Sequence, residues 1–187
     1  MQAKHPALIF SVAAPEDAAW LVQWERHLLL LQRAGYLRLW SERLILPGEN
    51  RLQQMSRQLD QANLIVFLLS SDFFASEECV TLMERALTGL HNEQVTLVPL
   101  LLRPSMWQDS PLGSLSCLPP EAQAVTSWDN ADEAFQACMK GIRQLLGLPM
   151  RDEAQRRQLA LPLRQRLQVI RGLQQEYRQR LDHSLQG

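Results

Sequence analysis

The sequence predicts an α/β fold: a doubly wound, five-stranded parallel sheet with helices on both faces. Three observations lead there. Short apolar runs recur along the chain, amphipathic segments of helical period separate them, and Gly or Pro punctuates most of the joins. At 187 residues with 46% hydrophobic content the chain can bury the core that such a sheet requires.

The run ALIFSVAA (7–14) is short and continuously apolar, as a strand covered on both faces must be. Pro15, Glu16 and Asp17 suit a helix start, and Trp20, Trp24, Leu28 and Leu31 then recur at helical spacing, with Leu21 on the same stripe, until Gly35. YLRLW (36–40) reads as the second strand. The loop SERLILPGEN follows, and Pro47 and Gly48 block regular structure in it. Leu52, Met55 and Leu59 predict a helix over about 49–61, before NLIVFLLSS (63–71), the clearest buried strand. QVTLVPLLLR (94–103) is the fourth strand, although Pro99 removes a ladder donor and suits an edge. QAVTSW (123–128) is expected to be the fifth, and Asp129–Leu146, with Ala134, Phe135, Cys138, Ile142 and Leu145 on one face, the closing helix. Five strands with short loops fit the flavodoxin-like order 2-1-3-4-5, in which function gathers at the carboxyl ends of the strands.

From Gly147 the character changes. Residues 148–162 form a polar, proline-punctuated connector after a domain spanning 6–147, and in 163–187 Leu163, Leu167, Ile170, Leu173, Tyr177 and Leu181 line one side of an amphipathic helical tail. Such a tail either packs back on its own domain or joins it to a following module.

The formal net charge of −1 argues against a nucleic-acid footprint. No segment reaches the ~20 apolar residues of a membrane helix, and the N-terminus is a poor signal peptide, so a soluble, cytoplasmic protein is expected. Cys79, Cys117 and Cys138 form no CxxC pair and have no histidine at metal-ligand spacing, which fits a reducing compartment and no metal site. Hydrolase, nucleotide-binding and zinc-protease signatures (GxSxG, GxxxxGK[ST], GxGxxG after a strand, HExxH) do not occur.

SDFFASEECVTLMERAL (71–87) stands where the third strand hands over to a helix. Ser76 suits an N-cap, and Glu77 and Glu78 complement the positive end of the helix dipole. Glu84 is two turns further on, where periodicity favours the surface. Cys79 reads as a small buried hydrophobe. Asp72 either caps a turn or lines a pocket. In the preceding loop Leu44, Ile45 and Leu46 run into the Pro-Gly turn, and an apolar tip there is either tucked inward or a contact surface for a second copy.

Taken in order, LIFSVAAPED, LRLWSERLILPGEN, ANLIVFLLSSDFFASEEC, VTLVPLLLRPSMWQDSPLGSLSCLP and AVTSWDNADEAF resemble a TIR (Toll/interleukin-1 receptor) domain of the prokaryotic kind, over about residues 6–147. The resemblance implies a domain that works by self-association and, in many members, hydrolyses NAD to nicotinamide and an ADP-ribose product, with NAD as substrate and no bound cofactor. It implies roles in innate immunity such as antiphage defence. A glutamate on the helix after the third strand engages the nicotinamide ribose in such enzymes, and a carboxylate there stabilises an oxocarbenium-like centre. Glu84 is the catalytic candidate, with Ser11, Trp40 and Asp72 on the substrate side of the cleft. The BB loop contributes Leu44, Ile45, Leu46, Pro47, Gly48 and Glu49 to assembly contacts. In the family the glutamate comes three or four residues after the helix-start cysteine; here those positions hold Leu82 and Met83. A non-enzymatic adaptor that signals through homotypic contacts is the alternative reading. The tail is similar to segments that join such domains to STAND/NACHT-like modules, so the chain is expected to be part of a larger protein.

Overall fold

In a computed structural model the chain divides into two units, Met1–Leu148 and Pro149–Gly187. The structure describes residues 6–40, 42, 45–89 and 95–148, all in the first unit. The tail and most of the connector lie outside the described residues, as does Leu44.

Four parallel strands form one sheet in the order β2-β1-β3-β4: β1 (Ala7–Val12), β2 (Leu37–Leu39), β3 (Leu64–Leu69) and β4 (Thr96–Leu101). Among the described residues the α-helices are α1 (Ala18–Arg33), α2 (Arg51–Gln61), the single turn α3 (Ser71–Ala75), α4 (Glu77–Gly89) and α5 (Ala131–Leu145). All six residues of β3 are buried. That is the physical meaning of the run LIVFLL: a central strand has no wet face, so no polar alternation survives in it.

Successive side chains along each strand feed opposite cores. Phe10, Val12, Ile65, Phe67 and Leu69 pack with Met55 and Leu59 of α2 and Leu82, Met83 and Ala86 of α4. Ile9, Val66, Leu68 and Leu100 pack on the other face with Trp24, Leu28 and Leu31 of α1 and Phe135, Cys138 and Ile142 of α5. Helix α1 stops where Gly35 takes φ 75°. The Gly35 and Tyr36 amides then donate to the Gln32 and Leu31 carbonyls at 2.9 and 3.0 Å, closing a Schellman cap that only a residue tolerant of left-handed backbone forms cheaply.

The expected fifth strand is absent from the described residues. Val125–Ser127 is a 3₁₀ turn, and beyond β4 the only ladder pairing among the described residues is a single parallel bridge from Leu100 to Leu118. Two hydrogen bonds hold it, Leu118 N–H to the Pro99 carbonyl at 2.8 Å and Leu101 N–H to the Leu118 carbonyl at 2.7 Å. Pro119 and Pro120 follow directly, and neither can donate the next ladder bond, so the pairing cannot propagate. Within 123–128 the Ser127 and Trp128 amides turn back to Ala124 and Val125. β4 is thereby the last regular strand among the described residues, and Pro99 sits in it at the edge that its missing donor favours.

Candidate functional site

The loop between β2 and α2 ends in a built turn. Glu49 N–H donates to the Leu46 carbonyl at 3.1 Å, with Pro47 and Gly48 between them and Gly48 at φ 92°. This is the arrangement of a type II turn, which asks for Pro at its first central position and Gly at its second. The Glu49 carboxylate braces it, accepting from Leu46 N–H at 2.9 Å and from the Gln54 side chain at 3.0 Å. The tip is held outward: Leu46 is 66% exposed, Pro47, Gly48 and Glu49 are exposed, and of the described tip residues Ile45 packs partly against the α2/α4 core.

Arg51, the first residue of α2, fastens this loop to α4. Its guanidinium donates to Glu42 Oε2 at 2.7 and 3.1 Å and also reaches Glu78. Glu78 is therefore more than a charge at a helix start. It is the α4 end of a three-residue bridge, whereas Glu77 is exposed. Alongside, Arg85 of α4 grips Asp60 of α2 through two bonds of 2.8 and 2.6 Å, which holds the Asp60 carboxyl below the usual carboxylate range. An open groove of about 480 Å³ runs beside this pair and the loop, lined by Asn50, Leu52, Gln53, Ser56, Arg57, Asp60 and Arg85.

Helix α4 sorts its residues by angle. Cys79, Leu82, Met83 and Ala86 fall at i, i+3, i+4 and i+7 and are buried, while Thr81, Glu84, Arg85 and Thr88 are exposed. Ser76 caps the helix as expected, accepting from Cys79 N–H at 3.4 Å. Burial pushes the Cys79 thiol up, so at neutral pH it is a protonated core residue. Leu82 and Met83 are 0% and 4% exposed. Glu84 is turned outward, to the side of the helix away from that core.

The substrate-side candidates are distributed over the sheet. Ser11 accepts from Trp24 Nε1 at 3.1 Å, on the face covered by α1 and α5. Trp40 packs against Phe10 at a ring-centroid distance of 5.2 Å, on the opposite face. Asp72 pairs with Arg103.

That last contact belongs to a polar knot at the carboxyl ends of β1, β3 and β4. Asp17 is 1% exposed and receives Arg103 Nη2 on Oδ1 at 2.9 Å and the Ser70 hydroxyl on Oδ2. Ser70 Oγ in turn accepts from Phe73 N–H at 3.1 Å and caps α3. Sequence patterning treats Asp17 as a helix-start charge and is silent on Ser70 and Arg103. A signal was available for one of them: Arg103 is the cation that ends the apolar run VTLVPLLL, and a cation at a strand's carboxyl end in an α/β sheet needs a carboxylate. Glu42 and Arg51 gave no such signal, because their relation depends on how the loop folds back.

A family model described as TIR domain matches residues 9–146. An uncharacterised protein (y4lF) of Sinorhizobium fredii is 30% identical over 143 residues, which are 76% of this chain and 44% of the relative. The chain thus spans less than half the length of that curated relative. Among solved structures, the TIR domain of the Toll-related receptor TRR-2 from the lower metazoan Hydra magnipapillata superposes with a TM-score of 0.51 at 20% identity, covering 75% of this chain and 99% of that one. At that identity the likeness is one of fold.

Proposed function

The chain belongs to the TIR domain family of signalling domains, and from that premise we propose that it acts by self-association, with contact between copies as its output. One observation carries the reading: an apolar side chain, Leu46, stands 66% exposed on a turn that Glu49 braces and Arg51 ties to α4. A solvated connector has no use for such an arrangement. A contact surface does, because a loop already ordered in its bound form gives up less entropy on docking. Leu52, 40% exposed beside the groove along α2, extends the apolar surface. We place the trigger that gathers copies in an attached module of the STAND or NACHT-like class.

The family's other output, hydrolysis of NAD with Glu84 as the carboxylate, is the competing proposal. It has less support here. The two positions where the family carries its glutamate are filled by Leu82 and Met83, both in the core. The carboxylates Asp17 and Asp72 share one guanidinium.

Light scattering over a concentration series tests the proposal. Wild type should show mass rising with concentration, and Leu46→Asp combined with Gly48→Arg should remain monomeric with an unchanged circular dichroism spectrum. Assembly unaltered by that double substitution counts against the loop. Artificially clustered protein should release no nicotinamide from NAD; release that Glu84→Gln abolishes would establish the hydrolase instead.

A further inference from the structure

The stretch that leaves β4 concentrates donors that have no acceptor. Arg103 Nε, Ser105 Oγ and Trp107 Nε1 are buried without a hydrogen-bond partner, and among the described residues Trp128 Nε1 is the one other side-chain atom in that condition. Burial alternates along the stretch. Arg103 and Ser105 are half-buried and Trp107 is 4% exposed, whereas Pro104 is exposed and Met106 is 80% exposed. Pro104 and Met106 thus face outward, while Arg103 Nε, Ser105 Oγ and Trp107 Nε1, the last at the start of a 3₁₀ turn (Trp107–Asp109), lie on the inner side.

A buried donor without an acceptor has lost its hydration and gained nothing in exchange. Three in five residues make the closed position of this stretch expensive. What holds it down is local: Arg103 Nη2 bridges Asp17 and Asp72, and the Leu102 and Arg103 amides share the Leu69 carbonyl at 3.0 and 3.2 Å. Trp107 adds its ring to the α2/α4 core.

We propose that Arg103–Trp107 is a strap across the carboxyl edge of the sheet, latched by Arg103 on Asp17 and Asp72, that opens as a unit. Opening lets the three donors find acceptors and releases Asp17 Oδ1 and Asp72 from Arg103 where β1 and β3 end, while the Ser70 hydroxyl keeps its bonds to Asp17 Oδ2 and Phe73 N–H. The unmet donors raise the closed state toward the open one, against the Arg103 latch and the burial of the Trp107 ring, and so make this segment open more readily than its burial alone implies. A molecule that brings carbonyl acceptors to the strap, or a cation to Asp17 and Asp72, binds the open form better and draws the equilibrium toward it.

The Trp107 indole proton reads the strap directly. In ¹⁵N-resolved spectra of the full chain, with the peak assigned by its loss in Trp107→Phe, it should exchange with solvent at least about tenfold faster than the Trp24 indole, a fully buried donor with a partner in Ser11 Oγ. Ser105→Ala removes one donor that only the open state satisfies. It should slow Trp107 exchange about tenfold, the ratio that ~1.4 kcal/mol confers, and raise the thermal midpoint. Asp72→Asn weakens the latch and should speed the exchange. Protection of the Trp107 indole equal to that of Trp24, or exchange that Ser105→Ala leaves unchanged or makes faster, overturns the strap.

Discussion

Gly113 and Gly141 differ in what surrounds them, and the difference sets how each tolerates one added methyl group. A Cβ on Gly113 would lie 1.9 Å from the Gln108 carbonyl oxygen, with the Gln108 carbonyl carbon at 2.7 Å, so backbone must move to admit it. A Cβ on Gly141 would meet Leu118 Cδ2 at 2.6 Å, the far end of a flexible side chain. Gly113→Ala is therefore expected to cost about 2 to 3 kcal/mol and Gly141→Ala less than about 1.5 kcal/mol, as shifts in the urea midpoint. Equal costs would mean that Leu118 is held as rigidly as the Gln108 main chain. The cap at Gly35 and the turn at Gly48 belong to another class, since both glycines face open space and are needed for their positive φ.

At the scale of the element, α4 shows why one helix cannot serve both readings of the protein without a change of register. Its core stripe, Cys79, Leu82, Met83 and Ala86, fixes its rotation against β3, and a residue moved by two positions turns through about 200°. Leu82→Glu, which puts a carboxylate where the family has one, should unfold the domain by several kcal/mol rather than activate it, because position 82 is fully buried with apolar neighbours. Thermal denaturation of the variant decides: a midpoint within a few degrees of wild type would show that α4 can rotate. The burial of Cys79 and the exposure of Glu84 were legible in the sequence, as were β1, β3 and the Ser76 cap, because each is written in local periodicity or in a single capping side chain. The fifth strand was misread for a related reason. AVTSW has strand composition, but Pro119 and Pro120 upstream decide the pairing, and composition inside a window does not register them. The Asp17, Ser70 and Arg103 knot was not legible at all, since its members stand 53 and 86 positions from Asp17 and meet only because β1, β3 and β4 end side by side.

For the whole molecule, the two cores on either side of the sheet share a titration. Cys79 belongs to the α2/α4 core and Cys138 to the α1/α5 core, and burial raises both thiols, Cys138 to about 12. In the unfolded chain a thiol ionises near ~8.5. Between those values the folded protein holds the proton that the unfolded chain has lost. Stability is therefore whole below about pH 8.5 and falls as pH rises, by up to about 1.4 kcal/mol per pH unit for each such thiol. Cys138→Ala opens a small cavity but escapes this loss. Its deficit against wild type in urea midpoints should shrink between pH 8 and pH 10.5, and a deficit constant with pH would contradict the assignment.

The two edges of the sheet bear on how copies of this domain can meet. β2 contributes three residues, too short a row of main-chain groups to template another strand, and the outer side of β4 is interrupted by Pro99 and met by the single bridge of Leu118. Fusion of sheets edge to edge, the route by which β-rich proteins polymerise without release, is blunted at both ends. An assembly joined through the Leu46 turn, as proposed above, would rest on side-chain contacts rather than on shared strand ladders, and contacts of that kind are reversible.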